Sequence, residues 1–175
     1  MMSAFDPPLR PPGALPEKDF LRLCVRCGQC IEACPHRTLV PAPGFGRGRR
    51  APVIEPKERP CQLCLRCVPS CPAGALDQSV RDMKDVRMGQ AYILESACHN
   101  YTTGIMCMTC YDRCPLRGRA VILNFGYLPA MTDACAGCGV CEHVCPVNAV
   151  RVMPVSNNVP PPSAVPTLKA PEEGR

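Results

Sequence analysis

Apolar residues in this chain come in short bursts. TLV (38–40) is followed by APVIE (51–55), GAL (74–76) by AYILE (91–95), AVILNF (120–125) by YLPAM (127–131), and AVRVM (149–153) stands last. Each burst is too short for an ordinary helix and leans on the β-branched and aromatic residues that suit strands. Turn-forming residues separate the members of each pair, so the pattern predicts strand, turn, strand. Only EKDFLRL (17–23) reads as a helix, with acids in its first turn and an arginine in its last. The unit repeats about every 25 to 45 residues: a polar loop with a short helix, then strand, turn, strand. Residues 1–16, with five prolines, predict an extended N-terminal arm. Residues 154–175, with six, predict an extended or disordered C-terminal arm, which leaves 17–153 as the folded region.

Composition changes this picture, because the apolar bursts alone make a thin core. The chain is 46% hydrophobic only when its sixteen cysteines are counted, and it has no Trp, four Phe and four Tyr in 175 residues. Twenty-two prolines and thirteen glycines cut the regular structure further. A core this poor would struggle to offset chain entropy without metal or cross-links.

The cysteines supply the missing element. Three groups follow C-x2-C-x2-C-x3-C-P: Cys24, Cys27, Cys30 and Cys34; Cys61, Cys64, Cys67 and Cys71; Cys135, Cys138, Cys141 and Cys145. The remaining group is irregular, with Cys98 set apart from Cys107, Cys110 and Cys114 by HNYTTGIM. Structural zinc usually takes two C-x2-C pairs a dozen or more residues apart. Here three thiols share one tight loop and suit three corners of an Fe4S4 cube, while the fourth points toward another cube. Four groups with no cysteine over predict four [4Fe–4S] clusters held by all sixteen. The expected fold class is α+β, two bacterial 2[4Fe–4S] ferredoxin-like units with proline-rich arms. His99, His143, Met106 and Met108 flank ligands, and are read as loop and packing residues because four thiols per cluster are already present.

The formal charge of +5 might point to nucleic acid. Four loaded sites at about −2 each leave the protein near −3, however. Basic–aromatic interleaving is missing as well. The basic link GFGRGRR (44–50) is read as solvated charge. No apolar run reaches the ~18 residues of a membrane span, so no direct membrane insertion is expected. The start shows no secretory leader, and Arg49-Arg50 falls after the first cysteine group. Both point to a cytoplasmic protein with reduced, metal-bound thiols. No catalytic constellation stands out; the chain reads as an electron conductor.

RPPGALPEKDFLRLCVRCGQCIEACP (10–35) and CHNYTTGIMCMTCYDRCPLRGRAV (98–121) resemble the NapG/MauM ferredoxin-type proteins, relatives of the iron–sulfur subunit of dimethyl sulfoxide reductase. The resemblance spans roughly residues 10–153. It implies nested pairing, with Cys145 completing the cluster of Cys24, Cys27 and Cys30, and Cys114 that of Cys61, Cys64 and Cys67; sequential pairing fits the linkers equally well. The chain also looks like the small four-cluster subunit of tungsten-dependent aldehyde oxidoreductases. That resemblance implies a pterin-bearing catalytic subunit on one side and a flavin/NAD-linked subunit on the other. A NapG-like partner of a quinol dehydrogenase is the alternative, and a structural metal protein or cluster carrier a further one. Two surface-reaching ends and two arms also lead us to expect head-to-tail association of copies into a filament. Finally, Arg26, Arg66 and Arg113 stand beside ligands while CAGCGVC (135–141) has no cation. The fourth loop should therefore hold one of the lower potentials.

Overall fold

The structure, a computed structural model, describes residues 8–44, 46, 48–155 and 164–171. Two α+β units follow one another along the chain. Helix α1 (Glu17–Leu23) opens the first, as EKDFLRL predicts, and buries Phe20. Short helix α2 (Gln29–Glu32) carries Cys30, and strands β1 (Leu39–Pro41) and β2 (Pro52–Ile54) form an antiparallel hairpin with Val40 opposite Val53. A 3-10 turn at Met83–Asp85 then leads into the second unit. That unit runs β3 (Gly89–Ile93), α3 (His99–Thr102), α4 (Thr109–Asp112), β4 (Val121–Asn124), β5 (Leu128–Met131), α5 (Val140–His143) and β6 (Val150–Pro154). β4 and β5 make its hairpin, and β3 pairs antiparallel with β6, Ala91 opposite Val152.

The two units share one plan. Each has a hairpin between its two cysteine groups and closes by pairing its first segment with its last. In the second unit that closure is β3 with β6; in the first it is a single antiparallel bridge, Ala14 to Leu76. Hydrogen bonds from Leu15 N to Ala75 O (3.2 Å) and Asp77 N to Gly13 O (2.6 Å) flank the bridge.

Residues 8–16 therefore do not stand off as an arm. They are extended, but Leu9 bridges to Ile54, Pro11 and Pro12 are fully buried, and Arg10 is enclosed. The Arg10 guanidinium donates to both Glu17 carboxylate oxygens (2.9 and 2.7 Å) and to Pro52 O, and stacks 4.8 Å over the Phe20 ring. A buried charge is tolerable when it is paired and hydrogen-bonded in this way. At the other end, residues 164–171 lie along the second unit. Val165 N bonds Ile93 O, Leu168 N bonds Met131 O, and Lys169 pairs with Asp133 at 2.9 Å. The rest of both expected arms lies outside the described residues.

The apolar core is thin, as composition requires. Phe20, Ile54, Leu76, Val86, Ile93 and Val121 are its fully buried members, and buried cysteines continue it. No helix among the described residues is long and apolar enough to cross a membrane.

Candidate metal centres

In all three regular loops the backbone turns left-handed at the second and fourth positions after the first cysteine. Arg26 and Gly28 (φ +59° and +83°), Leu63 and Leu65 (+54° and +57°), and Gly137 and Gly139 (+72° and +85°) hold those places. The coiling turns three thiols inward and aims backbone N–H groups at sulfur: Leu63 N approaches Cys61 Sγ and Gly137 N approaches Cys135 Sγ, both at 3.4 Å. The third group lacks the coil, having only Gly104 left-handed (+68°). Asn100, buried on α3, takes its place. Its side chain accepts from Cys107 N (3.0 Å) and donates to Tyr127 O (2.5 Å), tying the irregular loop to the β4–β5 turn.

The thiols gather in four quartets. Cys24, Cys27, Cys30 and Cys71 line one cavity, and Cys34, Cys61, Cys64 and Cys67 a second. Cys114, Cys135, Cys138 and Cys141 line a third. Cys98, Cys107, Cys110 and Cys145 form the fourth set, the charges of Cys98, Cys107 and Cys145 all acting on Cys110. Each loop thus gives three thiols to one quartet and its last cysteine to the neighbour's. The pairing is sequential, and the nested arrangement is overturned: Cys71, not Cys145, joins Cys24, Cys27 and Cys30, and Cys34, not Cys114, joins Cys61, Cys64 and Cys67. The physical reason is closure. The Ala14–Leu76 bridge brings the segment just after Cys71 back to the first group, and β3–β6 pairing does the same for Cys145 and Cys98.

The donor set fits [4Fe–4S] cores. Burial, reinforced by neighbouring thiols, pushes Cys67, Cys110 and Cys138 up to about 12 and Cys30 to about 11. Burial also raises Cys61 and Cys114 to about 11, and drives the fully enclosed Cys141 well above its ordinary value. Thiols so placed cannot ionise together unless a cationic core compensates them. Cys34 is the exception: burial opposes its ionisation, but hydrogen bonds from Thr38, His36 and Leu39 outweigh it and lower the thiol. Among the described residues no three His, Cys, Asp or Glu side chains close around a single ion. A cube's corners are spaced more widely than zinc's four ligands, so the quartets suit the cube.

The quartets form a line. Cys67 of the second feels the charge of Cys30 in the first, Cys138 of the third cavity feels Cys61, and Cys141 feels Cys110. Where the units meet, Cys61 N donates to Cys138 O (2.8 Å) and the His143 ring bonds Lys57 O (2.7 Å). The order is the Cys24 quartet, the Cys61 quartet, the Cys135 quartet, then the Cys107 quartet. His143 is thus a junction residue, as its reading as a non-ligand allows. Met106 differs from expectation: it is 71% exposed rather than packed, beside exposed Ile105. The fourth loop is not without a cation either. Burial raises the Cys135 thiol above its ordinary value, and Arg87, which precedes β3, partly offsets this as a nearby cation. Spacing along the sequence could not show it, since forty-eight positions separate the two residues and only β3 brings them together.

Fold and donor set define a ferredoxin-type iron–sulfur protein with four [4Fe–4S] clusters. Residues 23–75 match the 4Fe-4S dicluster domain, and residues 130–151 the 4Fe-4S binding domain. The chain is 39% identical over 165 residues to the ferredoxin-type protein NapG of Escherichia coli, covering 85% of this chain and 71% of that one. It is 41% identical over 163 residues to the methylamine utilization ferredoxin-type protein MauM of Methylorubrum extorquens, covering 83% and 72%. To the ferredoxin-type protein NapF of Escherichia coli it is 30% identical over 147 residues. The chain belongs to the NapG/MauM family of ferredoxin-type electron-transfer proteins. None of these relatives' names carries the expected link to tungsten.

Proposed function

We propose that each quartet ligates one [4Fe–4S] cluster and that the chain relays single electrons from one end of the line to the other. When bound, each cluster supplies one-electron transfer at a potential set by its surroundings. The protein holds four such sites in sequence, orients the thiols through the coiled loops, and buries the third most deeply. Cys135, Cys138 and Cys141 are all buried, whereas Cys27 of the first quartet and Cys64 of the second are exposed. The observation that carries the reading is the unbroken line of neighbouring quartets across the unit junction, a layout that a structural metal protein does not need.

Kinship with NapG and MauM supports a NapG-like role as the iron–sulfur partner of a quinol dehydrogenase over the pterin and flavin partners expected from the sequence. The filament has less to draw on than expected, because residues 8–16 and 164–171 are engaged by the chain's own units. The test is anaerobic purification of the native complex from its cells, followed by metal, flavin and mass analysis. About sixteen iron and sixteen sulfide per chain, with a quinol-oxidising membrane protein and neither tungsten nor flavin, is the expected result. Zinc as the major metal would overturn the relay. Tungsten and flavin in stoichiometric amounts would restore the aldehyde oxidoreductase assignment. Fractionation of the same cells shows whether the complex sits in the cytoplasm, as first expected.

A further inference from the structure

The last cysteines of the first and fourth groups sit on matching turns that lead back to their own sulfurs. After Cys145, Asn148 is left-handed (φ +52°) and its N–H donates to Cys145 O (3.3 Å). The next residue, Ala149, then aims its N–H at Cys145 Sγ (3.1 Å). After Cys34 the chain does the same: Arg37 is left-handed (φ +50°) and its N–H donates to Cys34 O (3.2 Å). The residue that this turn brings back toward the sulfur is Thr38. Four positions after the other last cysteines stand Ala75, Gly118 and Ala149, so Thr38 alone brings a hydroxyl. Thr38 is buried (2% exposed) and lines the second cavity with Cys34, Cys61, Cys64 and Cys67. Its hydroxyl donates to Pro60 O at 3.0 Å, and Pro60 directly precedes Cys61. Burial would raise the Cys34 thiol, but hydrogen bonds from the Thr38 main chain and hydroxyl, with those of His36 and Leu39, bring it below its ordinary value. Cys114, the matching ligand of the third quartet, is instead pushed up to about 11 by burial.

We propose that Thr38 is a positioning residue for the second centre. Its hydroxyl donates to Cys34 Sγ and lifts the reduction potential of the site held by Cys34, Cys61, Cys64 and Cys67 above that of the Cys135 site next in line. The proposal rests on the relay reading. The hydroxyl has one proton and two acceptors. Pro60 O is neutral, whereas a cluster-bound thiolate carries negative charge that grows on reduction, and a charge-assisted bond is roughly twice as strong as a neutral one. The proton therefore turns to sulfur in the loaded protein, most of all when the site is reduced. A hydrogen bond that favours the reduced state over the oxidised one raises the potential. Exposure adds to the difference: water reaches Cys64 of the second quartet, while Cys135, Cys138 and Cys141 of the third are all buried. The step is one electron passing from the third site to the second across the junction. The hydroxyl turns but keeps its proton, and no covalent bond forms or breaks. Electrons thus come to rest on the first unit's side of the junction.

The experiment is a redox titration of the loaded four-cluster protein, followed by electron paramagnetic resonance, on wild type, Thr38→Val and Thr38→Ser. The signal altered by Cys64→Ser identifies the second site, and the signal altered by Cys138→Ser the third. In wild type the second should be reduced before the third. Thr38→Val should lower the second midpoint by about 59 mV, a tenfold change in a one-electron equilibrium, and leave the other three in place. Thr38→Ser keeps the hydroxyl and should restore the wild-type value. After exchange into deuterium oxide, electron–nuclear double resonance should find one fewer deuteron coupled to the second site in Thr38→Val, a loss that altered packing does not produce. If Thr38→Val fails to hold iron, the wild-type order of reduction still decides. A second site reduced after the third, or a midpoint that Thr38→Val leaves unchanged, overturns the role of Thr38 and leaves the relay intact. A lowered midpoint with no deuteron lost and no rescue by Thr38→Ser also overturns it, assigning the shift to packing at Pro60. A wild-type protein without iron would overturn the relay reading instead.

Discussion

The loops of the second and fourth cysteine groups trace the same backbone with opposite residues. Where CQLCLRC carries Leu63 and Leu65, CAGCGVC carries Gly137 and Gly139, all four in left-handed conformation. The turn itself therefore does not dictate glycine; leucine is tolerated at a cost of about 1 kcal/mol per residue. What differs is the neighbourhood. A Cβ on Gly137 would meet the first residue of β3, lying 2.6 Å from Gly89 Cα, and one on Gly139 would strike Pro56 of the first unit, 2.9 Å from its Cα. In the second loop Leu63 instead fills the core at 3% exposure. One loop uses its side chains to make a core; the other gives them up so that β3 can lie against Gly137 within the second unit and Pro56 of the first unit against Gly139.

Gly139→Ala and Gly137→Ala should have the largest effects on stability, about 3 kcal/mol or more each, because backbone on both sides must move. Gly28→Ala is the control: it shares the left-handed turn but has nothing within 4 Å of the added carbon. Its cost should stay near 1 kcal/mol. Thermal melting with iron analysis checks the order, and equal losses at Gly28 and Gly139 would remove the role given to the junction.

Leu63→Gly should cost about 1–3 kcal/mol, burial lost exceeding strain relieved. Leu65→Gly, at a half-buried position, should cost less than half as much. Denaturant midpoints of the loaded proteins measure both, and a stabilised Leu63→Gly would show that strain outweighs packing there.

Removing iron and sulfide sharpens the contrast in another way. A free thiol ionises near 9.0, whereas Cys67 and Cys138 hold their protons to about 12 when folded. Above pH 9 the unfolded chain binds fewer protons at these two positions than the folded one, so any apo structure loses their contribution as pH climbs from 9 toward 12, while below 9 these two thiols add no pH dependence. Circular dichroism across that range should show the loss in the apo chain and not in the loaded one, whose thiolates are neutralised by metal.

The smallest effect belongs to Arg87. Arg87→Gln should lower the potential of the Cys135 centre by on the order of 10–50 mV, since the side chain is exposed and partly screened. Redox titration followed by electron paramagnetic resonance reads the shift. No change would return the fourth loop to the cation-free site that its sequence describes.

Much of the site was legible because local chemistry repeats. Cysteine spacing identified four groups, and the paired apolar bursts placed β1 with β2 and β4 with β5. Three features were hidden by distance along the chain. The pairing of groups depended on which strands close each unit, and no residue near Cys34 or Cys114 encodes that. Arg87 reaches Cys135 only through the fold. Nothing in the spacing of HNYTTGIM singles out Asn100, although a polar amide in an insertion that replaces a coiled loop is the available signal for a side chain standing in for backbone. The prolines misled for a different reason. Five in residues 1–16 do favour extended chain, but extended chain is also what a bridging segment needs, and Leu9 supplies the apolar anchor.

Sequential pairing also governs how the molecule is made. Synthesis runs from the N-terminus, and Cys71, the last thiol that the first two quartets need, is joined before half of the 175 residues exist. The first unit can therefore be furnished with iron and sulfide while the second is still inside the ribosome. A nested arrangement would leave Cys24, Cys27 and Cys30 waiting, reduced and exposed to oxygen, for a cysteine at position 145. Contact between the units, where Cys61 N meets Cys138 O, needs residues of both halves. Sequential pairing lets the junction close onto a first half whose thiol set is already complete.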